Sequence, residues 1–326
     1  MAGNNSNNKT NVALISFAFL LFFTIIFSQR VESFSVKPFK PVAADTTEIA
    51  FVADTQAPLW VETLKLKRNH NEKATEMIFK EILATHPRCF FILGDIVSWS
   101  GIEKNWNIMD KYLRDLRAAN IPVYACLGNH EYLGSGTDGQ TNFQKRFPNH
   151  HNTGYVEIVD SIAVVLMNSN IKVMSPKDTA IQNQFYKETL KRLDADPAIQ
   201  YIIVGCHHPP YTNSSIVNPS KNVMNYFVPL FLRTKKCKLF ITGHSHNFEY
   251  FKRDGKDFVI VGGGGGLHQP LVKTSKRIPD SANGYDPMFH YLTIKRFNDH
   301  LQLTSHQLKE DFSGFENGFT FAIQKP

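Results

Sequence analysis

The sequence predicts an α/β protein built as a two-sheet β-sandwich flanked by helices. Three observations carry that expectation. Short apolar runs alternate with stretches of helical periodicity from residue 48 onward. The last part of the chain holds paired strand patterns separated by turn signals. No internal repeat and no Pro- or Gly-rich linker interrupts residues 48–326. Strands that alternate with helices and then pair among themselves need two buried sheet faces and an outer helical layer.

The elements follow in order. Glu48–Ala53 is a short β run ending at Asp54. Residues 70–86 place Ala74, Met77, Ile78, Ile82 and Leu83 at helical spacing. Cys89–Leu93 is a strand that ends at Gly94-Asp95. Residues 103–119 form a helix with Trp106, Met109, Tyr112, Leu113 and Leu116 on one face, and Pro122–Leu127 is a strand ending at Gly128-Asn129-His130. Tyr155–Val159 and Ile162–Met167 form a strand pair, and Thr179–Leu193 is a helix. Gln200–Cys206 ends at His207-His208, and Lys238–Thr242 ends at Gly243-His244. Phe248–Arg253, Asp257–Val261, Phe289–Phe297 and His300–Gln307 read as antiparallel strands, with turns at Asp254-Gly255 and Asn298-Asp299.

Composition narrows the class. The 326 residues are 42% hydrophobic and 20% charged, which excludes a disordered chain, a collagen-like chain and a coiled coil. The net charge of +7, from 36 basic and 29 acidic residues, has no block of like charges behind it. It is a weak pull toward anionic ligands, and no nucleic-acid partner is required. Four cysteines are too few for a disulfide scaffold. Each sits in or beside an apolar run, so free buried thiols are expected. Asn213-Ser214-Ser215 matches a glycosylation sequon.

The N-terminus reads as a targeting segment. Val12–Phe27 is apolar except for Ser16 and Thr24, with Lys9 before it and Ser33 and Ser35 after it. As a helix it would reach roughly 24 Å, short of the ~30 Å hydrocarbon core and suited to a signal-peptide h-region. Residues 1–35 are therefore expected to be a signal peptide or an uncleaved anchor, residues 36–47 a linker, and residues 48–326 the working domain. Either form of the N-terminus places that domain outside the cytoplasm, periplasmic, secreted or anchored, and membrane contact would come only through an uncleaved segment.

The chemistry gathers at strand ends. Five apolar strands end in Asp54-Thr55-Gln56, Gly94-Asp95, Gly128-Asn129-His130-Glu131, His207-His208 and Gly243-His244-Ser245-His246. Loops at the carboxyl ends of strands converge on one crevice in α/β sheets. Carboxylate and amide oxygens and imidazole nitrogens are ligands for divalent cations of the manganese, iron and zinc kind. Alone, Asp54 or Gly94-Asp95 is an ordinary turn, and paired histidines are often only solvated; together they point to a site.

On these motifs the chain resembles the calcineurin-like metallophosphoesterase superfamily over residues 48–310. The resemblance implies a helix-flanked β-sandwich with a dinuclear metal site at the strand ends. It implies that Asp54, Gln56, Asp95 and His246 hold one metal, and that Asp95 bridges to a second completed by Asn129, His207 and His244. It further implies a phosphoric ester hydrolase that uses hydroxide on the metals, with His130 protonating the leaving group, its ring oriented by an acidic neighbour. Asn129 would contact the phosphate, and His208 would either contact it too or pack under its loop. Two divalent ions bring four positive charges and Asp54 with Asp95 return two, which leaves a pocket suited to a phosphate dianion. The cofactors implied are two ions of Mn, Fe, Mg or Zn. Gln56 stands where the family usually has histidine, so the first site gains an oxygen and Mn²⁺ is favoured over Zn²⁺. Ser98 stands where the purple acid phosphatase branch has tyrosine in Gly-Asp-x-x-Tyr.

The expected activity is hydrolysis of small phosphomonoesters. A phosphodiesterase acting on cyclic nucleotides or nucleic-acid ends is the alternative, and a non-catalytic metal- or phosphate-binding protein is the other. The five glycines 262–266 follow a strand and lack the Walker lysine, so they either let backbone approach the site closely or form a flexible turn. The resemblance, which often has glycines at this place, implies a site-facing loop. Trp60, Trp99, Tyr132 and Tyr211 lie near motifs, where packing accounts for each as well as substrate contact does.

Overall fold

A computed structural model of the protein describes residues 47–134, 136–275 and 277–326. The N-terminal targeting segment and all of the expected linker except Thr47 lie outside the described residues. Thr47 itself already opens the first strand.

Two six-stranded sheets pack face to face. The first runs β12-β11-β10-β1-β2-β3, with β1 Thr47–Val52, β2 Phe90–Ile92, β3 Val123–Ala125, β10 His290–Arg296, β11 His300–Leu308 and β12 Phe315–Gln324. The second runs β4-β5-β6-β7-β9-β8, with β4 Tyr155–Val159, β5 Ile162–Leu166, β6 Tyr201–Gly205, β7 Cys237–Thr242, β8 Phe248–Arg253 and β9 Lys256–Val261. The first sheet is parallel over β1-β2-β3, where β3 is an edge, and antiparallel from β1 through β10 and β11 to β12. The second has a parallel centre, β5-β6-β7-β9, with antiparallel β4 and β8 at its edges.

Alternation along the strands fills three apolar layers. In β1, Ile49 and Phe51 face the inter-sheet core with Phe91, Ile203, Leu239 and Ile241, while Ala50 and Val52 face outward against Ile78, Phe79 and Ile82 of helix Asn71–Thr85. In β6, Ile203 faces inward, and Ile202 and Val204 face outward against Tyr186, Leu190 and Leu193 of helix Pro176–Ala195. Strands covered on both faces read as unbroken apolar runs, which is why β2, β5 and β6 were visible in the sequence.

Two sequence expectations shift. Helix 179–193 starts earlier, at Pro176, because the Ser175 hydroxyl accepts the Asp178 N–H at 3.0 Å and Pro176 occupies the first turn. The helix expected over 103–119 opens as a 3-10 turn, Glu103–Trp106, before α-helix Asn107–Ala118. Helix Gly136–Arg146 and the short helices Lys221–Tyr226 and Val228–Arg233 are additional, as is β12. The Asn317-Gly318 pair inside β12 has the signature of a hairpin turn, yet it pairs against β11 beside a register shift between Thr304 and His306.

The four cysteines are free and buried, as expected. The sequon does not survive: Asn213 is 4% exposed, and its amide accepts the Ile278 N–H at 2.8 Å and donates to the Ile278 carbonyl at 3.1 Å. An asparagine so held presents no nitrogen for glycan attachment in the folded protein. Among the described residues no helix is long and apolar enough to cross a membrane.

Candidate metal centre

The carboxyl ends of β1, β2, β3, β6 and β7 deliver every sequence-predicted ligand to one crevice. Three of these residues sit in the left-handed region that side chains usually avoid: Asp54 at φ 62°, Asp95 at φ 51° and His244 at φ 66°. Such backbone costs about 1–3 kcal/mol each and persists only where the surroundings impose it. Here they do. Asp54 N–H donates to the Gly94 carbonyl at 3.1 Å, the Asp54 carbonyl accepts the Gly266 N–H at 2.8 Å, and Asp54 Oδ2 accepts the His244 N–H at 2.8 Å.

Backbone carbonyls set the tautomers. His207 Nδ1 donates to the Leu93 carbonyl at 2.9 Å, and His246 Nδ1 donates to the Leu267 carbonyl at 2.9 Å. In its neutral form each ring therefore turns a bare Nε2 toward the crevice. Around His207 Nε2 stand Asp95 Oδ2, Asn129 Oδ1 and His244 Nδ1, each at 3.1 Å. His246 Nε2 faces Asp54 Oδ1 at 3.4 Å, and that oxygen is buried without a hydrogen-bond partner. The Gln56 amide is satisfied when its nitrogen donates to the carbonyls of Asp54 at 3.2 Å and Asp95 at 2.8 Å. Its oxygen then faces His246 Nε2 at 3.4 Å. Lone pairs crowd against lone pairs, and an orphaned buried carboxylate oxygen stands among them. The donor set fits divalent cations.

The charges answer to the same crowding. Burial opposes ionisation of Asp95, but His207 and His130 outweigh it and hold its carboxyl well below the usual range. Burial likewise presses His207 toward neutrality, while the Asp95 carboxylate pushes it up to about 9. His244 is driven well below its ordinary value by burial and by neighbouring His208 and His207. Asp54, Asp95 and His207 bring ligand atoms within 4.8 Å of one another, and so do His207, His208 and His244.

His208 differs from the other histidines. Its N–H donates to Ser169 Oγ at 3.0 Å, so the Ser169 hydroxyl proton is free to donate to His208 Nδ1 at 2.8 Å. Nε2 then carries the ring proton, and burial, with His207 beside it, keeps the ring neutral with its pKa lowered to about 3. His208 thus presents an N–H donor where His207 and His246 present lone pairs.

The expectation for His130 needs one correction. Its acidic neighbour Glu131 does not orient the ring. His130 Nδ1 donates instead to the Ser98 carbonyl at 2.8 Å, which leaves Nε2 3.8 Å from Asp95 Oδ2. Glu131 is fully buried and accepts three backbone N–H groups, from Asp95 at 2.9 Å, Ile96 at 2.9 Å and Gly128 at 2.7 Å. It ties the β2 and β3 turns together. Burial and the Asp95 charge raise its carboxyl to about 7, against the pull of those donors.

The glycine run lies beneath the site, as expected. A Cβ on Gly262 would meet the Ser245 carbonyl at 1.9 Å, and one on Gly266 would meet the His246 ring at 2.4 Å. The sequence reading missed what clamps this run. Asn71 Nδ2 donates to the carbonyls of Gly265 and Gly266 at 2.8 and 3.0 Å, and the Thr75 hydroxyl to that of Gly264 at 2.8 Å. It also missed Ser169 and Asn170, although they follow β5 as the other site residues follow their strands. Asn170 Nδ2 reaches the Leu127 and Gly128 carbonyls, both at 3.2 Å.

The model of the calcineurin-like phosphoesterases matches residues 47–248. The chain belongs to the calcineurin-like phosphoesterase family. The two sheets, the helical layers and the Asp/His cluster accord with that match. The match ends at Phe248, short of the residue 310 to which the motifs and strands suggested it. Tartrate-resistant acid phosphatase type 5 of Mus musculus is 23% identical over 222 residues, 61% of this chain and 66% of that protein, so the chain spans just under two thirds of that relative. Two solved structures share the fold at TM-score 0.66 and 15% identity: the anchor in the inner membrane complex of Plasmodium, with 87% of this chain and 90% of that one covered, and a purple acid phosphatase from seeds of Lupinus luteus, with 87% and 55% covered. Ser98 departs from the tyrosine of that branch, and its hydroxyl donates to the Ala57 carbonyl.

Glu131→Gln tests the tie between the turns. The amide keeps the volume but sets an NH₂ against a backbone donor. Denaturant unfolding should show a loss of about 1–3 kcal/mol, the cost of a buried donor left unpaired. Stability within 0.5 kcal/mol of wild type, about the spread of neutral surface changes, would remove Glu131 from this role.

Proposed function

We propose that the protein is an exported, metal-dependent phosphomonoesterase. The observation that carries the reading is the crevice itself. Seven side chains turn electron-rich atoms into it, and the buried Asp54 Oδ1 has no hydrogen-bond partner. Asp54, Gln56, Asp95 and His246 would hold one divalent ion, and Asp95, Asn129, His207 and His244 the other. Such ions supply Lewis-acid charge for phosphate oxygens and make hydroxide available near neutral pH.

The chain's own groups divide the remaining work. His208, neutral and held by Ser169, offers its Nε2–H to a phosphate oxygen. His130 is held at Nδ1 by the Ser98 carbonyl, so its Nε2 can give a proton to the departing alkoxide. The Ser98 carbonyl steadies the ring in both protonation states. Export rests on the N-terminal apolar segment, and small phosphorylated molecules are the substrate class. Hydrolysis of p-nitrophenyl phosphate and of the corresponding bis-ester, with and without Mn²⁺, separates this reading from a diesterase and from a non-catalytic protein. Activity on the monoester that depends on Mn²⁺ supports it, and a complete lack of turnover overturns it.

His130→Ala should lower kcat by roughly 10²–10⁴-fold on alkyl phosphates, the usual worth of acid–base catalysis. The loss should shrink on p-nitrophenyl phosphate, whose leaving group needs no proton. Equal losses on the two substrates would remove the general-acid assignment.

Gln56→His replaces an amide oxygen with an imidazole nitrogen. Metal titration should show the affinity for Zn²⁺ rising at one site relative to Mn²⁺, with the other site unmoved. Identical affinities in wild type and variant would mean that residue 56 touches no metal.

A further inference from the structure

Two of the chain's three tryptophans stand on the turns that leave the site. Trp106 is wholly buried, but Trp60 is 77% exposed and Trp99 39%. Beside them Leu64 is 72% exposed, Val61 51% and Ile102 40%. Scattered exposed apolar residues need no explanation, but several on two turns that leave a functional crevice do. The turns are ordered. Leu59 N–H donates to Glu62 Oε2 at 2.6 Å, the Thr63 hydroxyl to the Trp60 carbonyl at 2.6 Å, and Asn105 Nδ2 to the Trp99 carbonyl at 3.2 Å. None of the residues in the 3-10 turn Glu62–Leu64 is buried, so core packing does not account for its apolar character.

Their placement ties them to the reacting atoms. The first turn starts directly after Gln56, and the Ser98 hydroxyl donates to the Ala57 carbonyl, which joins it to the second. Trp99 lies between two residues that bond His130: the Ser98 carbonyl accepts from Nδ1, and the Ser100 N–H donates to the His130 carbonyl at 3.4 Å. If His130 protonates the leaving oxygen, the carbon skeleton of the leaving group emerges beside Trp99. By contrast, Tyr132 and Tyr211 are spent on packing and hydrogen bonding. Tyr132 Oη accepts from Asn168 Nδ2 at 2.9 Å, and the Tyr211 ring meets that of Phe258 edge-on at 5.0 Å.

We infer that Trp60 and Trp99 form an apolar clamp for the organic part of the ester, and that the substrates are phosphomonoesters of planar, aromatic groups. The inference rests on the phosphomonoesterase reading and deepens it. The clamp acts on binding and holds the leaving group on the His130 side.

Two measurements on the full chain test it. The first compares kcat/KM for 1-naphthyl phosphate with that for glycerol 3-phosphate. Their ratio should fall roughly tenfold in Trp99→Ala and in Trp60→Ala, the scale of one aromatic contact; an unchanged ratio in both overturns the clamp. The second does not require turnover. Binding of naphthylmethylphosphonate should be about tenfold tighter than that of methylphosphonate, and it should quench tryptophan fluorescence in wild type. Quenching should vanish in the double variant, where only buried Trp106 remains. Equal affinity for the two phosphonates, or no affinity for either, overturns the inference even if the protein proves to be an active phosphatase.

Discussion

The crowding of lone pairs around His207 Nε2 governs the rest of the site. With Nδ1 committed to the Leu93 carbonyl, that nitrogen faces a carboxylate oxygen, an amide oxygen and a second imidazole nitrogen, all at 3.1 Å. Few protons are available to share among them. Such an arrangement is unfavourable unless positive charge enters it, either as a proton or as a cation. Asp54 Oδ1, buried and unpartnered, repeats the condition a few ångströms away. A fold that carries this charge density must hold its strand ends rigidly, because relaxation would simply spread the acceptors apart.

The rigidity comes from outside the ligand set. Glu131 gathers three backbone N–H groups and locks the Gly94-Asp95 turn to the Gly128-Asn129 turn. Asn71 and Thr75 pin the glycine run against Asp54 and His246. Asn170 reaches back to the β3 turn. These bonds sustain three residues in the left-handed region, and they explain why polar groups lie so deep in the sandwich. A buried carboxylate with three donors is an ordinary partner for backbone; here it also sets the spacing of two ligand-bearing turns.

Much of this was legible in the sequence. The parallel strands announced themselves as unbroken apolar runs, and their ends carried the ligand types. Asp54, Gln56, Asp95, Asn129, His207, His244 and His246 all come together in one crevice. The supporting partners were not legible, since Ser98 acts through its carbonyl and Asn71, Ser169 and Asn170 are residues that any turn or cap might hold. The role of Glu131 was misread for the same reason: adjacency to His130 suggested contact, while the turn sends the two side chains apart. Helix Gly136–Arg146 carries glycines at both Gly136 and Gly139, which depresses helical propensity. β12 hides behind an Asn-Gly pair that normally marks a turn. The exposure of Trp60 and Trp99 depends on which way two loops leave the sheet, and no local pattern encodes that.

The central proposal is that the crevice would hold two divalent cations, with Asp95 as a ligand that would serve both. Calorimetric titration of the metal-free full chain with Mn²⁺, run beside Asp95→Asn, tests it most directly. Two equivalents should bind to wild type and raise its Tm by mass action, while Asp95→Asn should lose affinity at both sites together. Failure of wild type to take up Mn²⁺, or two unchanged affinities in Asp95→Asn, would contradict the account.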